Sequence, residues 1–152
     1  MIKKILKAIG ITILVLLFLT IVAAIWAGYK SAGYEETAVP YINKAIPEIS
    51  KWQPDIMKSY MAPEPLAQVS EDDFLEMVRI LSKMGKLIST ETPVFQSVNS
   101  SSTVSDGSMT LVTYHIPAKY ENGDANLIVV LKEKDESFEV YYFKVESMAL
   151  FK

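Results

Sequence analysis

Cysteine is absent from the 152 residues. That excludes a disulfide scaffold, a thiol nucleophile, a thiolate metal site and an acyl anchor on cysteine. Histidine occurs once, as His115, with no neighbouring ligand or orienting carboxylate in sequence to complete a catalytic or metal site. The chain also lacks a Gly-rich phosphate loop, a nucleophile elbow and any His/carboxylate metal spacing. Positive charge is scarce beyond residue 30. Residues 31–152 carry 11 Lys and Arg against all 18 Asp and Glu, a net charge of −7. An acidic domain without a basic stripe repels phosphate backbones, so nucleic acid is not an expected partner. These gaps lead to the expectation of a non-catalytic protein with no cofactor and no metal.

What is present begins at the N-terminus. Residues 1–30 hold Lys3, Lys4, Lys7 and Lys30 and no acid, and the stretch from Ala8 to Ala27 has no charge in 20 residues. As a helix this run is about 30 Å long, the thickness of a bilayer hydrocarbon core. Trp26 and Tyr29 stand at its end, where aromatic rings favour the headgroup region. The preceding lysines place the N-terminus in the cytoplasm and everything after the helix outside it, by the positive-inside rule. A cleaved signal peptide shares the basic start, but its apolar core is about 7–15 residues. Cleavage near Ala27 or Gly33 is the alternative to a retained anchor. The expected organisation is therefore an anchor over residues 1–30, a linker over 31–35 and an extracytoplasmic domain over 36–152.

The domain opens with helical spacing at Ala38, Ile42, Ala45, Ile49 and Trp52. Pro40 suits a first turn, Pro47 predicts a kink, and Pro54 opens a second short helix to Tyr60 that ends at the turn Pro63-Glu64-Pro65. A third helix starts at Ser70, an N-cap followed by Glu71, Asp72 and Asp73. Val69 and Phe74 occupy hydrophobic-staple positions. Phe74, Met77, Val78, Leu81 and Met84 form its apolar stripe, and Gly85 stops it.

From Leu87 the pattern is that of strands, over about 87–99, 108–119, 124–134 and 138–149, with Ser97–Ser108 as a flexible loop. Asn122-Gly123 predicts a tight hairpin turn. Glu121 then faces Asp124, and Ala118, Ile116 and Tyr114 face Leu127, Val129 and Leu131 on the core side. A three-residue loop, Asp135-Glu136-Ser137, aligns Tyr141, Phe143 and Val145 with the same three residues; a two-residue loop turns Lys144 inward. The other face then carries Thr113, His115, Ile128, Val130, Lys132, Val140, Tyr142, Lys144 and Glu146.

The stretch Ala118-Lys-Tyr-Glu-Asn-Gly-Asp-Ala125, then Leu127-Ile-Val-Val-Leu-Lys132 and Phe138-Glu-Val-Tyr-Tyr-Phe-Lys-Val-Glu-Ser147, resembles a hairpin of small bacterial domains in the nuclear transport factor 2-like (cystatin-like) superfamily. Leu81-Ser-Lys-Met-Gly-Lys-Leu87 is similar to the helix end of the same group. The resemblance covers roughly residues 36–148 and implies an α+β fold: three N-terminal helices on a four-stranded, curved antiparallel sheet, here preceded by one transmembrane helix. It also implies a bacterial envelope protein, in the inner membrane with a periplasmic domain. Enzymes of that superfamily use a cone between helices and sheet, so a small apolar-ligand binder or isomerase-like enzyme is the alternative function.

The expected contact surface is the outer sheet face at His115, Ile128, Val130, Val140 and Tyr142. Contiguous apolar surface of this kind marks interaction sites. The expected partners are the membrane and either a second copy of the chain or another envelope protein.

Overall fold

A computed structural model describes residues 1–103 and 107–152. The chain divides into two units, Met1–Glu36 and Thr37–Lys152. The first is one continuous helix, α1 (Ile2–Glu35), which runs on through the residues read as a linker. Its segment Ile2–Trp26, 25 residues, is long and apolar enough to cross a membrane. Thr12 and Thr20 donate their hydroxyls to the carbonyls of Ala8 and Leu17, at 2.9 and 2.8 Å, so these polar groups need no water.

The second unit lays helices on a sheet. Helix α2 (Ala38–Ile49) buries Ala38, Ile42, Ala45, Ile46 and Ile49, the stripe its spacing predicts. Two short helices follow, α3 (Pro54–Tyr60) and α4 (Pro63–Leu66), each with proline in the first turn, where its missing N–H costs nothing. The segment read as a Pro-Glu-Pro turn is thus one helical turn. Helix α5 (Glu71–Leu81) begins as expected, with the Ser70 hydroxyl accepting from the Asp73 N–H. A 3₁₀ turn, Ser82–Met84, leads to Gly85.

The sheet corrects the expected architecture. It has five antiparallel strands: β1 (Leu87–Thr90), β2 (Val94–Thr103), β3 (Gly107–Tyr120), β4 (Gly123–Lys134) and β5 (Ser137–Glu146). The order is β1-β3-β4-β5, with β2 also on β3. The sheet is open and not curved around the helices, so the four-stranded curved form fails in both respects. The extra strand has a local cause. The expected strand over 87–99 is interrupted at Glu91-Thr92-Pro93, since proline cannot donate to a ladder. Its two halves pair with opposite ends of β3, at Ala118–Tyr120 and Gly107–His115. Most of the Ser97–Ser108 stretch is strand rather than loop, and residues 104–106 of it lie outside those described.

The register between β3 and β4 differs from expectation by two residues. Tyr120 pairs with Gly123, Ala118 with Ala125, Ile116 with Leu127 and Tyr114 with Val129. The loop is therefore Glu121-Asn122. A shift of two keeps every side chain on its expected face, and Tyr114, Ile116, Ala118, Leu127, Val129 and Leu131 are all buried.

The cause lies outside the hairpin. The Glu121 N–H donates to the Lys86 carbonyl at 3.0 Å and the Asn122 N–H to the Met84 carbonyl at 3.2 Å. The Glu121 carboxylate accepts from the Lys86 N–H at 2.9 Å, and the Asn122 amide donates to the Lys83 carbonyl at 2.8 Å. The two loop residues are those that bond the end of α5.

Gly85 makes this approach possible. It has φ +75°, and a Cβ there would lie 2.9 Å from Glu121 Oε2 and 3.0 Å from Glu121 Cβ. Gly85→Ala is expected to cost at least about 2 kcal/mol, from the left-handed backbone and the displaced turn together. Urea unfolding of the full chain in detergent micelles measures it; an unchanged midpoint refutes the account.

Candidate functional site

The β4–β5 connection decides which residues reach the outer face. Lys134 pairs with Ser137 across a two-residue loop, Asp135-Glu136, rather than the three-residue loop expected. Asp135 takes φ +52°, which aspartate tolerates better than most residues. A bulge then follows: Val140 pairs with Leu131 and Tyr142 with Val130, so Tyr141 is the inserted residue. One extra residue reverses the alternation. Beyond it Phe143 meets Val129 and Val145 meets Leu127, as expected from the sequence.

Before the bulge the faces are exchanged, and Val140 is 0% exposed. Val140 therefore does not belong to the outer surface. It packs in the core, and its carbonyl accepts from the Ala62 N–H at 2.8 Å.

The other four residues are brought together. Cross-strand pairing forms one row of Val94, His115, Ile128 and Lys144, and a second of Ser97, Thr113, Val130 and Tyr142. His115, Ile128 and Val130 are half-buried, while Tyr142 and Val94 are exposed. Val94 escaped the sequence reading because β2 carries its own bulge, between Phe95 and Ser97, which defeats simple alternation.

Acids and bases on this surface are matched. Lys144 donates to Glu146 at 2.7 Å, and that bond holds the Glu146 carboxyl below its ordinary range. Lys132 reaches Glu64 of α4; the hydrogen bond from its ammonium is the main reason that the Glu64 carboxyl is lowered. Among the described residues no three His, Cys, Asp or Glu side chains cluster as a metal site requires.

The inner face is packed. Met57, Phe74 and Met84 from the helical side are buried, as are Tyr114, Ile116, Leu127 and Val129 of the sheet. Tyr114 meets Phe95 edge-on at 5.8 Å. What remains is an apolar groove of about 210 Å³ beside β5, lined by Met57, Met61, Leu66, Met77, Tyr141 and Phe143 among others.

Wider troughs open on the surface. One, of about 520 Å³, lies beside Ser50, Trp52, Gly85 and Glu121. Another, of about 480 Å³, runs along the end of β5, where Val145 and Glu146 face Met148, Leu150 and Phe151. Sequence reasoning missed this last feature. Its signal was the apolar Met148-Ala-Leu-Phe151 after the sheet alternation ends.

No known protein family matches the chain, and no curated protein matches it significantly.

Tyr41 gives the site region a pH signature. Burial, then the nearby Tyr60 and Glu139, push its phenol up from 10 to about 12. Burial raises Tyr120 in the same direction. A raised acid favours its neutral form in the fold, so the Tyr41 contribution is fully present below pH 10 and is lost between pH 10 and about 12. Solvent screening of the part-exposed ring reduces that contribution to about 1 kcal/mol. Alkaline denaturation of Tyr41→Phe beside the parent chain checks it, with the variant losing less stability over that window.

Proposed function

We propose that this chain is a membrane-tethered binding module. Its single N-terminal helix holds an extracytoplasmic α+β domain at the membrane surface, and the domain engages a protein through its outer sheet face. The observation that carries the reading is the pair of cross-strand rows in which His115, Ile128, Val130 and Tyr142 adjoin. Half-buried aliphatic side chains beside an exposed tyrosine, rimmed by a Lys–Glu pair, have the composition of a contact surface: an apolar centre with charge at its edge.

Binding is favoured over catalysis because the core-side positions of the sheet are filled by apolar and aromatic residues rather than carboxylates. The orientation rests on the excess of Lys3, Lys4 and Lys7 ahead of the apolar run over Lys30 just after it. The sequence likeness to bacterial envelope domains supports an inner-membrane location with the domain on the periplasmic side.

Two measurements test this reading. The absence of cysteine allows a single Ser137→Cys variant of the full chain to be labelled with a membrane-impermeant maleimide in intact cells or spheroplasts. Labelling before lysis is expected; labelling only after lysis reverses the orientation. For the surface, a photo-crosslinking residue in place of Val130 or Tyr142 is expected to give discrete protein adducts in membranes, and one in place of Arg79 on α5 is not. Equal yields from all three positions would sink the outer-face reading.

A further inference from the structure

The free edge of β5 is a second surface, which adjoins the outer face at Lys144 and Glu146. Strand β5 has one neighbour, β4. Along its other side the only backbone hydrogen bond among the described residues is the one that the Ala62 N–H makes to the Val140 carbonyl. There Met61 bridges to Val140 in a short parallel pairing, so the chain straps its own edge at the bulge. From Tyr142 to Glu146 the strand is regular, and its outward N–H and C=O groups have no backbone partner among the described residues. Such an edge is a template for another strand.

We propose that two copies of this chain pair through β5, antiparallel about a two-fold axis at Val145. The choice of a second copy comes from charge and register. Residues opposite one another in an antiparallel pair point to the same face, so a two-fold axis must be centred on a residue. Centring on Lys144 or Glu146 stacks like charges. Centring on Phe143 lays the second copy's Val145 and Glu146 across Tyr141 and Val140, where Met61 and Ala62 already sit. Centring on Val145 clears that strap and sets each Lys144 opposite the other copy's Glu146, twice over.

The adjoining trough of about 480 Å³ gives the pairing a side-chain component. Its wall includes Met148 and Phe151, which are 77% and 84% exposed. Covering large exposed apolar residues beside a ready strand edge removes a cost the monomer carries.

Edge lysines often prevent strand addition, and Lys144 requires an answer on that point. Its ammonium is already bonded to Glu146 of its own chain at 2.7 Å. In the two-fold pair it gains a second carboxylate rather than losing its only one. The opposite edge is divided between β1 and β2 by Glu91-Thr92-Pro93, and its longer part runs through Ser97, Asn99, Ser100 and Ser101. Pairing through β5 is isologous and closes at two copies. A shared membrane raises the effective concentration of tethered chains, so a short interface suffices.

This inference goes beyond the outer-face reading; Lys144 and Glu146 rim that face as well, so Val130→Glu is the control, expected to disturb the outer-face contact and to leave the β5-paired dimer unchanged. The test is sedimentation of the full chain in detergent micelles, with Lys144→Glu, Glu146→Lys and the double reversal. Both positions are exposed, so the fold is retained and circular dichroism verifies it. A dimer is expected for the parent chain. Each single reversal is expected to raise its dissociation constant at least about tenfold, because two like-charge pairs replace two unlike ones. The double reversal is expected to restore it. A monomer throughout, or a dimer indifferent to the single reversals (as for pairing through the anchor helices), overturns the proposal.

Discussion

Gly85 has no room for a side chain, and the domain is assembled around that fact. Three parts of the chain that are distant in sequence converge on it. The end of α5 delivers Gly85 itself, and the β3–β4 turn closes over it with Glu121 and Asn122. From the end of α2, Trp52 donates its indole N–H to the Gly85 carbonyl at 2.7 Å. Trp52 also lies against the Tyr120 ring, 5.7 Å between centroids, and the Tyr120 hydroxyl meets Ser50 at 2.9 Å. A tryptophan at φ +56° costs about 1–3 kcal/mol of backbone strain. The indole bond and ring contact offset it, each being worth about 1 kcal/mol. Strain at one residue is thus held in place by contacts to two other elements, which fixes both helices and the first hairpin together.

That junction also explains how far the sequence can be read. The Asn-Gly pair announces a turn, and a local rule places it at Asn122-Gly123. Long-range bonds to Met84 and Lys86 instead select Glu121-Asn122, and no local pattern encodes them. The error is harmless to the core, because a two-residue shift leaves side-chain parity intact. The second hairpin shows the opposite balance. A loop one residue shorter than expected and a bulge one residue long cancel from Phe143 onward, but between them they move Val140 from the outer face to the core. Hydrophobic alternation reports parity summed over a strand; it does not report where an irregularity sits. The helix starts fared better, since Ser70 with its acidic first turn is a signal complete within a few residues.

The same distinction separates the apolar N-terminal helix from the outer face of the sheet. Twenty consecutive uncharged residues are a statement of composition, and no tertiary contact is needed to interpret them. A surface patch depends on register across several strands. That His115, Ile128, Val130 and Tyr142 share a face follows from alternation alone, but the two-residue shift pairs His115 with Ile128 in place of Val130, and Val94 joins them only because a bulge at Gln96 re-aims β2. The strand count was hidden for a related reason. Pro93 splits one apolar stretch, but only the length of β3, Gly107–Tyr120, lets both halves find a place along the same edge.

Bulges fall on each strand that flanks the β3–β4 pair, at Ile88 in β1, near Gln96 in β2 and at Tyr141 in β5. Bulges on such strands increase local twist and interrupt the ladder, which discourages unplanned pairing. In β5, however, the interruption and the Met61–Ala62 strap both lie at the start of the strand. They protect the half that precedes Tyr142 and leave Tyr142–Glu146 straight and regularly paired to β4. An edge defended uniformly would have no such regular half. Here the polar β2 edge is made unattractive by its side chains, and the early part of β5 by a bulge and a strap. The part of the β5 edge left open to strand addition is therefore a short segment that combines backbone hydrogen-bonding capacity, a Lys–Glu pair and adjacent exposed apolar residues.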